Sequence, residues 1–195
     1  MLFAAKTLTQ STISSRSMIA QRCFSSQVKN LGIVGAGQMG TGIGIVAART
    51  AGLNVTLIDP SDISRNKSKQ FMENWCQKEI GKERLTDAEA SDVKNRIAWT
   101  GDVDGLDKVD FVVEAANEDF ELKKTIFLGM AKNAPDHAIL ATNTSSISIS
   151  KIGGCVPERA HQVIGMHFMN PVPVMKLVEV ITALQTDDAT LATTL

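Results

Sequence analysis

The feature that most constrains this chain is Gly35-Ala36-Gly37-Gln38-Met39-Gly40, set between a short apolar run and a helical pattern. Residues 31–34 read as a strand and residues 39–51 as a helix closed by Gly52. Glycines at this spacing suit a tight strand-to-helix turn. The first permits the turn, the second lets backbone approach a bound group, and the third allows close packing of helix on strand. The helix start beyond them offers unpaired N–H groups and partial positive charge, which suits a phosphate. Residues 54–58 are a second strand-length apolar run, ending at Asp59-Pro60, nineteen residues past Gly40. An acid there is placed to grip a ribose diol, and it favours NAD over NADP because a carboxylate repels a ribose phosphate. The dinucleotide reading therefore rests on Gly35, Ala36, Gly37, Gln38, Met39, Gly40 and Asp59. From the residues alone, FAD fits the same fingerprint, and Asp59 fits equally as a cap on the following helix. The nearest later base is Arg65, inside that helix.

From residue 28 onward, β-rich runs alternate with longer amphipathic segments. Residues 63–80 have helical spacing, with Ile63, Phe71, Trp75 and Ile80 on or near one face. Thr86-Asp87-Ala88-Glu89 is a capping-box pattern that opens a helix to about residue 95. Together these predict a helical hairpin inserted after the second strand. Further strands are expected at 97–100, 109–115, 139–142, 163–168 and 177–181, and helices at 120–133 and 148–153. A rigid loop, Asn170-Pro171-Val172-Pro173, joins the last two strands. Strands alternating with helices imply an α/β doubly wound, mostly parallel sheet. The tail beyond residue 182 has no evident core role. It has the pattern to begin a helix near Asp187, with nothing following for that helix to pack on.

Charge is unevenly distributed. Residues 1–29 carry Lys6, Arg16, Arg22 and Lys29 with no acid, so the rest of the chain holds 16 bases and 21 acids. The leader is also rich in Ser and Thr. This is transit-peptide composition, and Arg22-Cys23-Phe24 before Ser25-Ser26 resembles a processing site, which predicts a mitochondrial leader over 1–24 and a matrix location. A merely unstructured tail is the alternative. A net charge of −1, no tyrosine and 5% aromatics argue against a nucleic-acid partner. The longest uncharged stretch, 30–48, holds six glycines and suits a turn better than a membrane span. Cys23, Cys76 and Cys155 show no metal-ligand or disulfide spacing, so isolated thiols and no metal are expected.

Ligands in such sheets sit beyond the carboxyl ends of the strands. Four polar clusters fall there: Glu114 and Glu118; Asn143-Thr144-Ser145-Ser146; His167 and Asn170; and Glu179. His167 is the natural general base for a hydroxyl group, because its ordinary pKa lies near operating pH. Glu179, an acid in an otherwise apolar strand, is a candidate to fix its tautomer. Each alone also reads as a structural residue, and Ser145, Ser146 or Ser148 could equally cap a helix. The bases of the hairpin, Lys82 among them, fit either an anionic substrate or a solvated helical face. His137 and His161 read as surface residues.

These residues carry a resemblance. Leu31 to Gly40, Val112-Val113-Glu114-Ala115, Asn143 to Ser146, and above all His167-Phe168-Met169-Asn170-Pro171-Val172-Pro173-Val174-Met175-Lys176-Leu177-Val178-Glu179-Val180 resemble the L-3-hydroxyacyl-CoA dehydrogenase family, with its 3-hydroxybutyryl-CoA branch the nearest fit. The likeness covers about 28–182. It implies a Rossmann-type domain over 25–182 with a helical hairpin insertion, NAD as cofactor, and an acyl-CoA thioester as substrate in fatty-acid β-oxidation. It further implies His167 as base, Glu179 as its partner and Ser145 on the substrate oxygen. Asn143, Ser145 and Asn170 would lie near the nicotinamide, Glu118 and Lys123 would line the cofactor site, and Lys82 would lie near coenzyme A. Thr142 and Met169 depart from the usual Ser and Phe, and Trp75 stands where some relatives place a Ser near coenzyme A. The family continues into an all-helical domain that builds a homodimer interface and closes the cleft. Residues 183–195 are expected to be only its beginning, which leaves a non-catalytic NAD-binding fragment or module as the alternative reading.

Overall fold

Seven short runs of apolar and β-branched residues pair into one sheet in a computed structural model that describes residues 28–195. The expected leader, 1–24, lies outside the described residues. The strands are β1 (Asn30–Val34), β2 (Asn54–Ile58), β3 (Ile97–Thr100), β4 (Phe111–Glu114), β5 (Ile139–Thr142), β6 (Val163–Phe168) and β7 (Val178–Thr182), in the order β3-β2-β1-β4-β5-β6-β7. All pair in parallel except β7, which runs antiparallel to β6. Central strands β4 and β5 are buried at every residue, as strands covered on both faces must be.

Side chains alternate between two cores. Ile33, Val113, Ala141 and Ile164 join one core with α1 (Gln38–Thr50), α2 (Asp62–Ile80) and α3 (Asp87–Arg96). Val112, Leu140 and Val163 join the other with α4 (Phe120–Asn133) and α5 (Ile149–Gly153), through Phe127, Met130 and Ile152. The chain leaves β1 toward β2 and β3, then returns to place β4 on the other side of β1. The crevice at the carboxyl ends of β1 and β4 is the topological switch point, where ligands of such sheets bind.

The expected hairpin is α2 and α3, and Thr86 with Glu89 forms the full capping box. Its buried face matches the expected one only in part: Trp75 and Ile80 pack against the first core. Ser68, Met72 and Cys76, four residues apart, point inward, whereas Ile63 and Phe71 are exposed. Apolar character misled there, because the inward row includes a serine that finds buried partners. The tail also departs from expectation. Asp187 caps a final helix, α6 (Asp188–Thr194), by accepting from the Thr190 N–H at 2.7 Å. Thr190 is buried with its hydroxyl on the His161 carbonyl at 3.0 Å, and Leu191 packs on the first core. Small residues let this helix lie close against β6, so the tail has a core role. No described helix is long and apolar enough to cross a membrane.

Candidate active site

The glycine turn follows β1 directly. Gly35 has φ +110, and a Cβ there would come within 2.7 Å of the Ala115 carbonyl at the end of β4. A Cβ on Gly40 would lie 1.9 Å from the Gly35 carbonyl, so no other residue fits. Gly37 is the opposite case: a Cβ there would meet nothing within 4 Å, so the bare backbone faces open space. No side chain caps α1 and no acid lies in its first turn, leaving its N–H donors for an outside anion.

A buried relay anchors this turn. The indole N–H of Trp99 donates to the Ser68 hydroxyl at 2.9 Å, the Ser68 and Thr41 hydroxyls are 2.8 Å apart, and Thr41 donates to the Gly37 carbonyl at 2.7 Å. Each hydroxyl has one proton, so donation runs one way, from Trp99 to Gly37. Asp59 completes the turn: its carboxylate accepts from the Ala36 N–H at 3.0 Å and the Ser61 N–H at 2.9 Å.

The other half of the candidate site is built on β6 and β7. Because β7 is antiparallel, His167 and Glu179 are direct cross-strand partners on one face. The His167 Nδ1 and a Glu179 carboxylate oxygen are 2.8 Å apart. An ionised carboxylate only accepts, so Nδ1 is the donor and Nε2 carries the free lone pair. Asn143, at the end of β5, accepts from the Phe168 N–H at 2.8 Å and so pins the strand next to His167.

Glu118 organises the neighbouring loop. It accepts from the Thr144 hydroxyl, from the Ser145 N–H at 3.1 Å, and from the Ser146 hydroxyl at 3.0 Å. Burial pulls its pKa upward, but the Thr144 and Ser146 hydroxyls and the Lys123 ammonium overcome that and hold it at about 2. Lys123 is itself buried, 2.7 Å from Glu114 and 3.3 Å from Glu118. It therefore faces the crevice only through Glu118 and does not itself line it. Glu114, at the end of an apolar strand, accepts from Lys123, the Ala116 N–H and the Thr142 hydroxyl.

Together, Met39, Glu118, Asn143, Ser145, His167 and Asn170 line one cleft of about 310 Å³. Gln38 from the glycine turn donates to Asn170 at 3.0 Å, joining the two halves of the site. Val172 docks the same loop onto α1, where a Cβ on Gly42 would meet it at 2.9 Å. Lys82 is exposed in the turn after α2, and no hydrogen bond among the described residues links it to the cleft. His137 and His161 are exposed, as expected, at the opposite ends of the strands, where with Asp110 and Asp187 they line a separate hollow of about 500 Å³. Among the described residues no group of three His, Cys, Asp or Glu is placed to hold a metal. Ser68 was not legible as a site residue, and the roles of Thr144 and Ser146 as donors to Glu118 were not legible either. Only the small polar run after β5 hinted at those last two.

A family model described as "3-hydroxyacyl-CoA dehydrogenase, NAD binding domain" matches residues 30–195. The chain belongs to the 3-hydroxyacyl-CoA dehydrogenase family. It is 39% identical over 164 residues to the probable 3-hydroxybutyryl-CoA dehydrogenase of Bacillus subtilis, covering 84% of this chain and 56% of that protein. The (S)-3-hydroxybutyryl-CoA dehydrogenase structure from Ralstonia eutropha superposes with a TM-score of 0.83 at 42% identity, covering 86% of this chain and 59% of that one. The corresponding Escherichia coli enzyme gives 0.80 at 35%, covering 85% and 34%. The chain thus spans little more than half the length of the first two relatives.

The family's NAD fits the residues present. The open space at Gly37 and the uncapped start of α1 suit its diphosphate, and Asp59 suits its ribose. Cys76 is buried, which pushes its thiol pKa up and marks it as a packing residue.

Proposed function

We propose that this domain supplies the cofactor site and the catalytic base of an NAD-dependent 3-hydroxyacyl-CoA dehydrogenase. Its substrate is a short-chain (S)-3-hydroxyacyl thioester, oxidised to the 3-ketoacyl thioester in fatty-acid β-oxidation. The observation that carries the reading is the in-register His167–Glu179 pair, whose His167 lines one cleft with Ser145 and with Asn170, itself bonded to Gln38 of the glycine turn.

When bound, NAD supplies the hydride acceptor for carbon 3. The chain's own residues manage the proton. His167 Nε2 takes the substrate hydroxyl proton, and the Glu179 carboxylate stabilises the resulting imidazolium. The Ser145 hydroxyl makes no hydrogen bond among the described residues, and it donates to the oxygen as the carbonyl forms. Its placement depends on Glu118, which holds the Ser145 backbone. Asn170 and Asn143 border the nicotinamide, and Lys82 stands open to a coenzyme A phosphate.

Two features bear on a second reading, a non-catalytic NAD-binding module: the chain spans 56% of the Bacillus relative, yet both dyad residues are present. Acetoacetyl-CoA-dependent NADH oxidation by the full chain separates the two, with NADH binding followed in the same sample. Turnover that falls at least about a hundredfold in His167→Ala, with NADH binding kept, supports the base. Binding without turnover favours the module, and unchanged turnover in His167→Ala removes the proposed base. The acid-free, Ser-rich leader supports the mitochondrial matrix as the place of action, and isolated mitochondria should import and shorten the full chain.

A further inference from the structure

The glycine turn and Asp59 account for the diphosphate and ribose of the cofactor, but neither accounts for its base. Arg65 lies six residues past Asp59, in the first turn of α2. An arginine there has every opportunity to extend into water, yet its side chain is only 17% exposed. It folds back over the carboxyl ends of β2 and β3. One terminal nitrogen donates to the Asp59 carbonyl and the other to the Asp62 carboxylate. A Cβ on Gly101, the residue after β3, would lie 2.8 Å from Nη1, 3.3 Å from Cζ and 3.4 Å from Nη2. The three atoms are nearly equidistant from that point, so the guanidinium lies across the bare α-carbon of Gly101. The Asp59 N–H, donating to the Thr100 carbonyl at 3.1 Å, ties the two strand ends beneath it.

The geometry points to Arg65 as the platform for the adenine ring of the dinucleotide. The inference rests on the NAD reading of the site and assigns a subsite within it. Asp59 turns its carboxylate toward Ala36 and the diphosphate turn, so the outer side of the ribose anchor is the Arg65 side. A planar, delocalised cation held by two hydrogen bonds has lost little further freedom when an aromatic ring stacks on it. The Asp62 carboxylate and the Asp59 carbonyl hold the cation and offset its attraction for a ribose phosphate, so it serves the neutral base and leaves NADP disfavoured.

Equilibrium binding to the full chain tests this, with NADH, NADPH, ADP-ribose and reduced nicotinamide mononucleotide as probes. Arg65→Ala should weaken NADH and ADP-ribose about three- to fivefold alike. The mononucleotide, which lacks the adenosine half, should bind unchanged, and this also shows that the variant is folded. Arg65→Lys should not restore NADH affinity, because it returns the charge without the plane. Unchanged NADH binding in Arg65→Ala overturns the platform. An equal loss for the mononucleotide overturns it in favour of a general structural role. A loss confined to NADPH overturns it in favour of a phosphate clamp. Wild-type protein that binds none of the four ligands defeats the underlying NAD reading instead.

Discussion

Glu118 shows how one carboxylate can be held in a single charge state by its surroundings. Its pKa is held at about 2 against an ordinary 4.5, with hydroxyl donors and Lys123 outweighing burial. The sign of the linkage follows. A depressed folded-state pKa contributes stability that is fully present above 4.5 and is lost as pH falls from there toward about 2. Denaturant midpoints of wild type and Glu118→Gln should therefore differ by a constant amount from pH 6 to pH 8 and converge as pH falls below about 4.5. A difference that stays constant down to pH 3 would mean Glu118 titrates normally. Single residues of the site were legible where the signal is local. The glycines and Asp59 declare themselves by spacing, and Glu179 by being an acid among Leu177, Val178, Val180 and Ile181. Lys123 was not legible in the same way. Its burial depends on Glu114 and Glu118, which reach it from another strand end and loop, and nothing in its own neighbours reveals that.

At the scale of elements, the helical hairpin is more than an insertion. Ser68 on α2 and Trp99 on β3 reach α1 through Thr41, so the hairpin fixes the first turn of the cofactor helix. Ser68→Ala leaves the half-buried Trp99 N–H without its partner. It should cost about 1–3 kcal/mol of stability, read from the denaturation midpoint, and weaken NADH binding as Thr41, which holds the Gly37 carbonyl, loses its own hydroxyl partner. Wild-type affinity for NADH in that variant would confine the relay to stability. The strands and most helix bounds were readable, because apolar periodicity and capping pairs such as Thr86 and Glu89 are short-range signals. The inward face of α2 was not, because Ser68 is worth burying only when Trp99, 31 residues away, comes beside it. The final helix failed for a similar reason: Thr190 and Leu191 look unpartnered until His161 and the first core are placed beneath them.

At the scale of the whole molecule, the two halves of the sheet carry separate tasks. The strands from β3 to β4 hold the dinucleotide features, and β5 to β7 hold the pair proposed to move the proton. They meet through Gln38 on Asn170 and Val172 on Gly42. The doubly wound plan was readable from alternation alone, but the reversal of β7 was not, since a hydrophobic run carries no direction. That reversal has a mechanical consequence. The proposed base and its acid are held together by the β6–β7 ladder, and among the described residues β7 pairs with no other strand and exposes most of its own residues. Edge segments open more readily than the rest of a fold. The charge pairing should therefore fail as a local event, before the cofactor half loosens. Amide hydrogen exchange along Val178–Thr182 should run ahead of that in β1 and β4, and warming should abolish proton transfer while NADH stays bound. Equal protection across the sheet would mean that the edge is as firm as the centre. If the edge does exchange first, the proposed chemistry is fastened at the least protected seam of the fold, with its lifetime set by the fraying of one short strand.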